Sequence, residues 1–205
     1  VIGFTAFIAI VLYYNSSMGV EEAFRKSLFQ VASLHTSTGF ATADYMTWPS
    51  VLWGTLTVIM IIGACAGSTT GGMKCIRLLI LAKISRNEFK HITHPNAVLP
   101  VRVNKQVISP SIRSTVLAFS FLYAVLIIVG TLAMMGMGVG LLESLGCTIS
   151  SLGNMGPGLG LCGPAYSWNE LPDMGKWLMS FFMLLGRLEL FTVLLLFSSD
   201  FWKKN

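Results

Sequence analysis

Charge is what this sequence has least of. Only 11% of its 205 residues are charged, while 54% are hydrophobic; a soluble domain carries roughly 25% charged side chains. The polar surface needed to cover so apolar a chain in water is missing, which excludes an ordinary soluble enzyme. Catalytic and metal-ligating groups are equally sparse. Three histidines form no ligand pattern, and Cys65, Cys75, Cys147 and Cys162 show neither CxxC spacing nor a dense secreted framework. No Ser/His/Asp cluster or paired carboxylate rises above background, so the chain is read as no enzyme. The tripeptide Asn15-Ser16-Ser17 matches a glycosylation sequon by chance. Val1 opens an apolar run with no basic n-region and no cleavage pattern, which reads as a cut inside a longer chain, not a signal peptide.

The few charges are unevenly placed. Lys83, Arg86, Lys90, Arg102, Lys105 and Arg113 stand against Glu88 alone, so residues 83–113 hold a local +5 between hydrophobic blocks. That is the positive-inside pattern, with this segment cytoplasmic. A nucleic-acid partner would require a basic footprint on a folded face, and none is expected. The basic run sets topology and is also available to lipid headgroups or a cytoplasmic regulator. His91 and His94 lie within it, where Pro95 argues against a stable metal-bearing helix.

Val1 to Tyr14 suits the end of a transmembrane helix. Glu21 to Leu34 follows as a helix of about three turns, too short to cross, and stops at a polar stretch ending in Gly39. Trp48-Pro49 then opens a second apolar run, which would reach about 50 Å if Ser50 to Lys83 were one straight helix. A hydrocarbon core is about 30 Å thick, so a break is expected at the glycine-rich segment 67–74. Irregular backbone at membrane depth is tolerated only against protein or a water-filled cavity, and the break therefore predicts a cavity. After the basic segment, Thr115 to Leu142 is uncharged and long enough to cross and turn into a short helix ending near Gly156. Leu159 to Asp173 reads as an outer loop and Trp177 to Phe197 as a last span, with Trp48, Tyr166 and Trp168 as interface anchors.

The order span, short helix, polar glycine loop, span thus occurs twice. Gly39 and Gly156 lie 117 residues apart, and the same offset pairs Ser27 with Ser144 and Ser33 with Ser150. Duplication of this kind is an architectural signature. The expected fold is an all-α integral membrane protein with two tandem transmembrane–pore-loop–transmembrane repeats, half of a pseudo-fourfold potassium-channel-like pore. Four such loops around an axis can offer backbone carbonyls to a dehydrated cation; two cannot close the ring.

The stretches Thr36-Ser37-Thr38-Gly39-Phe40, Gly67-Ser68-Thr69-Thr70-Gly71-Gly72-Met73-Lys74, Asn154-Met155-Gly156-Pro157-Gly158 and Leu185-Gly186-Arg187-Leu188-Glu189 resemble the Trk/Ktr/HKT superfamily of potassium transporters, and most of all the C-terminal half of its bacterial TrkH-type members. The resemblance implies that residues 1–84 are a third repeat, 85–113 a cytoplasmic basic connector, 114–200 a fourth repeat and 201–205 a cytoplasmic tail. It implies a potassium filter, built mainly of backbone carbonyls, from Thr36, Ser37, Thr38 and Gly39 with Leu152, Gly153, Asn154, Met155 and Gly156. It implies a gate at Gly67, Ser68, Thr69, Thr70, Gly71, Gly72 and Lys74, tuned by Arg187. Potassium is then the transported substrate, with no organic cofactor in this chain. The implied partners are the N-terminal half of the same chain, a second copy in a homodimer, the lipid bilayer and a TrkA-like cytoplasmic nucleotide-binding subunit. The implied location is the bacterial inner membrane, with the filter mouths outside. Neither loop has the full TVGYG filter of a tetrameric channel.

Rival readings attach to each feature. Gly39 and Gly156 also suit plain turns, Gly67–Gly72 a close-packing surface, and Arg187 a structural ion pair. A phosphate-binding loop is excluded, because Met73 displaces Lys74 from the required spacing and Cys75 stands where a hydroxyl is needed. For the whole protein, the alternatives are an alternating-access cation symporter and a non-transport membrane assembly protein.

Overall fold

The computed structural model describes residues 1–205 except 17, 64, 66, 69, 70, 95–98, 105, 189 and 193–205. Several expectations therefore lie outside the described residues: Thr69 and Thr70 of the gate, Ser17 of the sequon, Pro95, Glu189, the end of the last span and the tail 201–205.

The described chain is mostly helical. Helix α1 spans Ile2–Asn15 and α2 spans Val20–His35. A 3-10 turn at Tyr45–Thr47 leads to α3, Ser50–Ile61. Two short strands, β1 (Ile62–Gly63) and β2 (Met73–Lys74), pair in parallel and bracket the glycine-rich segment. Helix α4 runs Cys75–Thr93, followed by an antiparallel pair of β3 (Arg102–Val103) and β4 (Gln106–Val107). Helix α5 (Pro110–Gly136), α6 (Leu141–Gly153), 3-10 turns at Gly160–Cys162 and Trp168–Glu170, and α7 (Asp173–Arg187) complete the order.

Local chemistry accounts for several of these boundaries. Glu21 and Glu22 favour the positive end of α2 and pair one turn later with Arg25 at 3.0 Å and Lys26 at 2.7 Å. The Lys26 ammonium holds the Glu22 carboxyl below its ordinary range. Ser109 caps α5 through the Ile112 amide, and Pro110 takes the first turn, where a missing N–H costs nothing. Among the described residues, α5 is the one helix long and apolar enough to cross a bilayer unaided; at 27 residues it is about 40 Å long. Phe121, Ile128 and Leu132 on its length are exposed.

The break between α3 and α4 begins at Ile62, five residues before the expected Gly67, and the helix resumes at Cys75. Helix α4 then continues to Thr93, well into the segment expected as a connector. Its Arg86 and Lys90 are exposed, and no helix breaker intervenes before Pro95. His91 accordingly lies on a helix, yet no group of three metal-ligating side chains forms among the described residues.

Two apolar clusters hold the helices. Ile8, Leu12, Val31, Leu34, Leu52, Leu56 and Ile59 join α1, α2 and α3, with Ile149, Met155 and Leu159 reaching in from the second unit. Phe119, Tyr123, Met134, Leu152, Met179, Phe182 and Leu185 join α5, α6 and α7. Trp48 belongs to the first cluster at 4% exposure, so it is a core residue and not the surface anchor its sequence context suggested.

Candidate functional site

Helices α2 and α6 end in the same way. Past its last turn, α2 enters the left-handed region at Ser37 (φ 53) and again at Gly39 (φ 79). At the 117-residue offset, α6 does so at Asn154 (φ 53) and Gly156 (φ 99). The closing hydrogen bonds correspond as well. The Ser37 amide donates to Leu34 at 3.2 Å and the Thr38 amide to Ser33 at 2.9 Å; the Asn154 amide donates to Ser151 at 3.2 Å and the Met155 amide to Ser150 at 3.0 Å. Left-handed C-caps of this kind satisfy helix-end carbonyls and reverse the chain. Asparagine tolerates the conformation, and here its side-chain amide also donates to the Met183 carbonyl at 3.1 Å.

The two turns meet. A Cβ on Gly39 would fall onto the carbonyl oxygen of Met155 and 3.2 Å from Pro157 Cδ. Around Gly156 the space is open. Behind the first turn the Ser33 hydroxyl donates to the Phe40 carbonyl at 2.6 Å. The equivalent Ser150 hydroxyl is buried with no partner among the described residues.

The glycine-rich segment packs under the second turn. A Cβ on Gly71 would lie 2.7 Å from the Leu152 carbonyl oxygen and 3.0 Å from Asn154 Nδ2. A Cβ on Gly186 in α7 would fall onto the same Leu152 oxygen, 2.7 Å from Asn154 Nδ2. Gly71 and Gly186 thus converge on the Leu152 carbonyl, and only hydrogen at each glycine permits the approach. Gly72 (φ 78) turns the chain into β2. The first turn reaches the base of the same segment: His35 Nδ1 lies 3.1 Å from the Ile62 carbonyl, and the Cys75 thiol donates to the Gly63 carbonyl at 3.0 Å. A carbonyl only accepts, so in this contact His35 donates through Nδ1–H. His35 thereby ties the first turn to the base of the glycine-rich segment.

The structure therefore gathers Ser37, Gly39, Leu152, Gly153, Asn154, Met155, Gly71 and Gly72 at one place. Thr36 and Thr38 are exposed beside it, their hydroxyls 2.8 Å apart. Gly67 and Lys74 lie on the bracketed segment, Gly67 exposed and Lys74 half-buried. Arg187 is exposed in the last turn of α7, immediately after Gly186.

Three contributors were not legible as such in the sequence. Cys147 on α6 and Cys162 in the following 3-10 turn form a disulfide with Cα atoms 6.1 Å apart. The Tyr45 hydroxyl donates to the Gly158 carbonyl at 2.6 Å, across 113 residues of sequence. Burial, with the Asp44 charge adding to it, pushes the Tyr45 phenol well above its ordinary pKa, so it stays a neutral donor. The Trp168 indole donates to the Gly156 carbonyl at 3.1 Å, a more specific role than interface anchoring. The only advance signal was a pair of cysteines flanking the second glycine loop.

The family model described as "TrkH: Cation transport protein" matches residues 4–204. The chain is 36% identical to a Trk system potassium uptake protein TrkH of Halomonas elongata, over 96% of this chain and 40% of that protein. It is 37% identical to TrkH of Escherichia coli, over 94% of this chain and 39% of that one. It is 38% identical to TrkG of Escherichia coli, over 88% and 37% respectively. The crystal structure of the potassium transporter TrkH from Vibrio parahaemolyticus superposes with a TM-score of 0.90 at 34% identity, covering 98% of this chain and 43% of that one. The chain thus spans about 40% of the length of the curated relatives it matches. By sequence and by fold, this chain belongs to the TrkH cation transport family.

Proposed function

We propose that this chain forms two of the four loops of a potassium uptake pore in the bacterial inner membrane. The observation that carries the reading is the paired helix-end turn. Two short helices end in matching left-handed turns at a 117-residue offset, and those turns meet at Gly39 and the Met155 carbonyl. Residues 1–84 and 114–200 are then the third and fourth membrane–pore-loop–membrane repeats, and 85–113 is the cytoplasmic connector. The family membership and the relatives named as potassium uptake proteins support potassium as the substrate.

In this reading a cation sheds water at the outer mouth, where carbonyls of residues 36–39 and 152–156 replace its hydration shell. Two further loops from the rest of the polypeptide close the ring. Below the ring, residues 67–74 form the gate, and Arg187, next to Gly186 at the end of α7, supplies its tuning charge. The closeness of Gly71 to the Leu152 carbonyl supports that order, because it sets the gate segment directly against the filter loop. No covalent step is involved. The disulfide supports an outward-facing filter mouth, since such bonds persist on the oxidising side of a bacterial inner membrane. The cationic α4 end and its connector then face the cytoplasm, where a TrkA-like subunit would bind. Assembly as a homodimer completes the proposal.

The test is flux of potassium and sodium, side by side, through the full-length protein in liposomes, for wild type and Gly156→Ser. Potassium-favoured flux that loses rate or selectivity in the variant is expected. Equal flux of both ions would keep a cation pathway and refute a potassium filter. Absence of flux from folded protein with its regulatory subunit would favour the assembly role instead.

A further inference from the structure

The second loop carries a covalent tie that the first lacks. After Gly156 the chain runs back along α6 with backbone against backbone: a Cβ on Gly146 would lie 2.5 Å from the Leu159 nitrogen, and one on Gly158 3.1 Å from the Gly146 carbonyl. The Cys147–Cys162 disulfide bolts this returning segment to α6. Gly158 is gripped from both sides, its amide donating to the Cys162 carbonyl at 2.6 Å and its carbonyl accepting from Tyr45 at 2.6 Å. Both sulfurs belong to residues with no exposed surface, as does the Tyr45 ring.

The first loop has no such bolt. At the 117-residue offset, Gln30 stands for Cys147 and Tyr45 for Cys162. Gln30 is fully buried, and its amide has no partner among the described residues. Tyr45 leaves its own unit to hold the other one. Hydrogen bonds hold the first loop, from Ser33 to the Phe40 carbonyl and from His35 to the Ile62 carbonyl, whereas the second has a covalent link and a borrowed hydroxyl.

Resting on the filter reading above, we propose that the Cys147–Cys162 disulfide and the Tyr45 hydroxyl form a brace that sets how strictly the fourth-repeat loop discriminates between alkali cations. Ligand carbonyls that cannot close around a smaller ion leave it underligated. Loosening the returning segment lets the carbonyls of Leu152 to Gly156 contract, which favours sodium more than potassium. Tyr45, Cys147 and Cys162 act as positioning residues and do not touch the ion.

Potassium and sodium flux through the full-length protein in liposomes tests this, together with the thermal midpoint of each sample. The samples are wild type, the Cys147→Ser/Cys162→Ser double variant and Tyr45→Phe. Both variants are expected to lower the potassium-to-sodium flux ratio several-fold, and Tyr45→Phe should do so with little change in thermal midpoint. An unchanged ratio in Tyr45→Phe, beside a potassium-favouring wild type, overturns the brace even if the cysteine variant does not fold. A lowered midpoint with an unchanged ratio in the cysteine variant also overturns it, leaving the disulfide as a fold stabiliser. A wild type without potassium preference overturns the filter reading and the brace together, and wild type alone reports that failure.

Discussion

Gly39 and Gly156 hold equivalent places in the two turns, yet alanine should affect them unequally. Both have positive φ, 79° and 99°, so an L side chain at either incurs the left-handed penalty of about 1–2 kcal/mol. Only Gly39 has a second problem. Its added methyl would fall onto the Met155 carbonyl oxygen, which belongs to the facing turn and is backbone, so no rotamer change relieves the overlap. Overpacking of that kind costs roughly 1–3 kcal/mol more. Gly39→Ala should therefore destabilise by about 2–5 kcal/mol, and Gly156→Ala by the conformational part alone. The difference corresponds to roughly one to two powers of ten in the unfolding equilibrium. Denaturant titration of the full-length protein in micelles, followed by tryptophan fluorescence, measures it. Equal destabilisation by the two alanines, or a larger effect at Gly156, would refute the claim that the turns pack through Gly39.

Three further substitutions follow from the same geometry. Ser33→Ala removes the hydroxyl that holds the Phe40 carbonyl and should cost about 1 kcal/mol; Ser150→Ala removes a buried hydroxyl with no partner among the described residues and should be neutral or stabilising in the same titration. Gly186→Ala would drive a methyl into the Leu152 carbonyl at the point where Gly71 also packs, so it should abolish or sharply slow cation flux in liposomes while leaving membrane insertion intact.

The broad class of the protein is written in its composition. Low charge, a basic segment between apolar blocks, and breakers placed where a straight helix would overrun a bilayer are local or additive properties, readable without coordinates. The paired turns were legible for the same reason: Gly39 and Gly156 terminate short helices, and chain geometry demands a residue that accepts positive φ. The break at 67–74 was located to within five residues, its start at Ile62 being set by parallel pairing with Met73. Helix α4 reaches Thr93, into the segment expected as a basic connector, because lysine and arginine are good helix formers and no breaker precedes Pro95. What tertiary structure alone decided is which parts touch across the chain. Tyr45 finds Gly158 over 113 residues, and Cys147 finds Cys162 only because the chain doubles back along α6. Gly39 differs from Gly156 through a carbonyl donated by the other unit, and Gly71 and Gly186 come to the Leu152 carbonyl from opposite ends of the sequence. Hydropathy and helix breaking act over a few residues, whereas these approaches depend on how helices pack, and no local pattern encodes that.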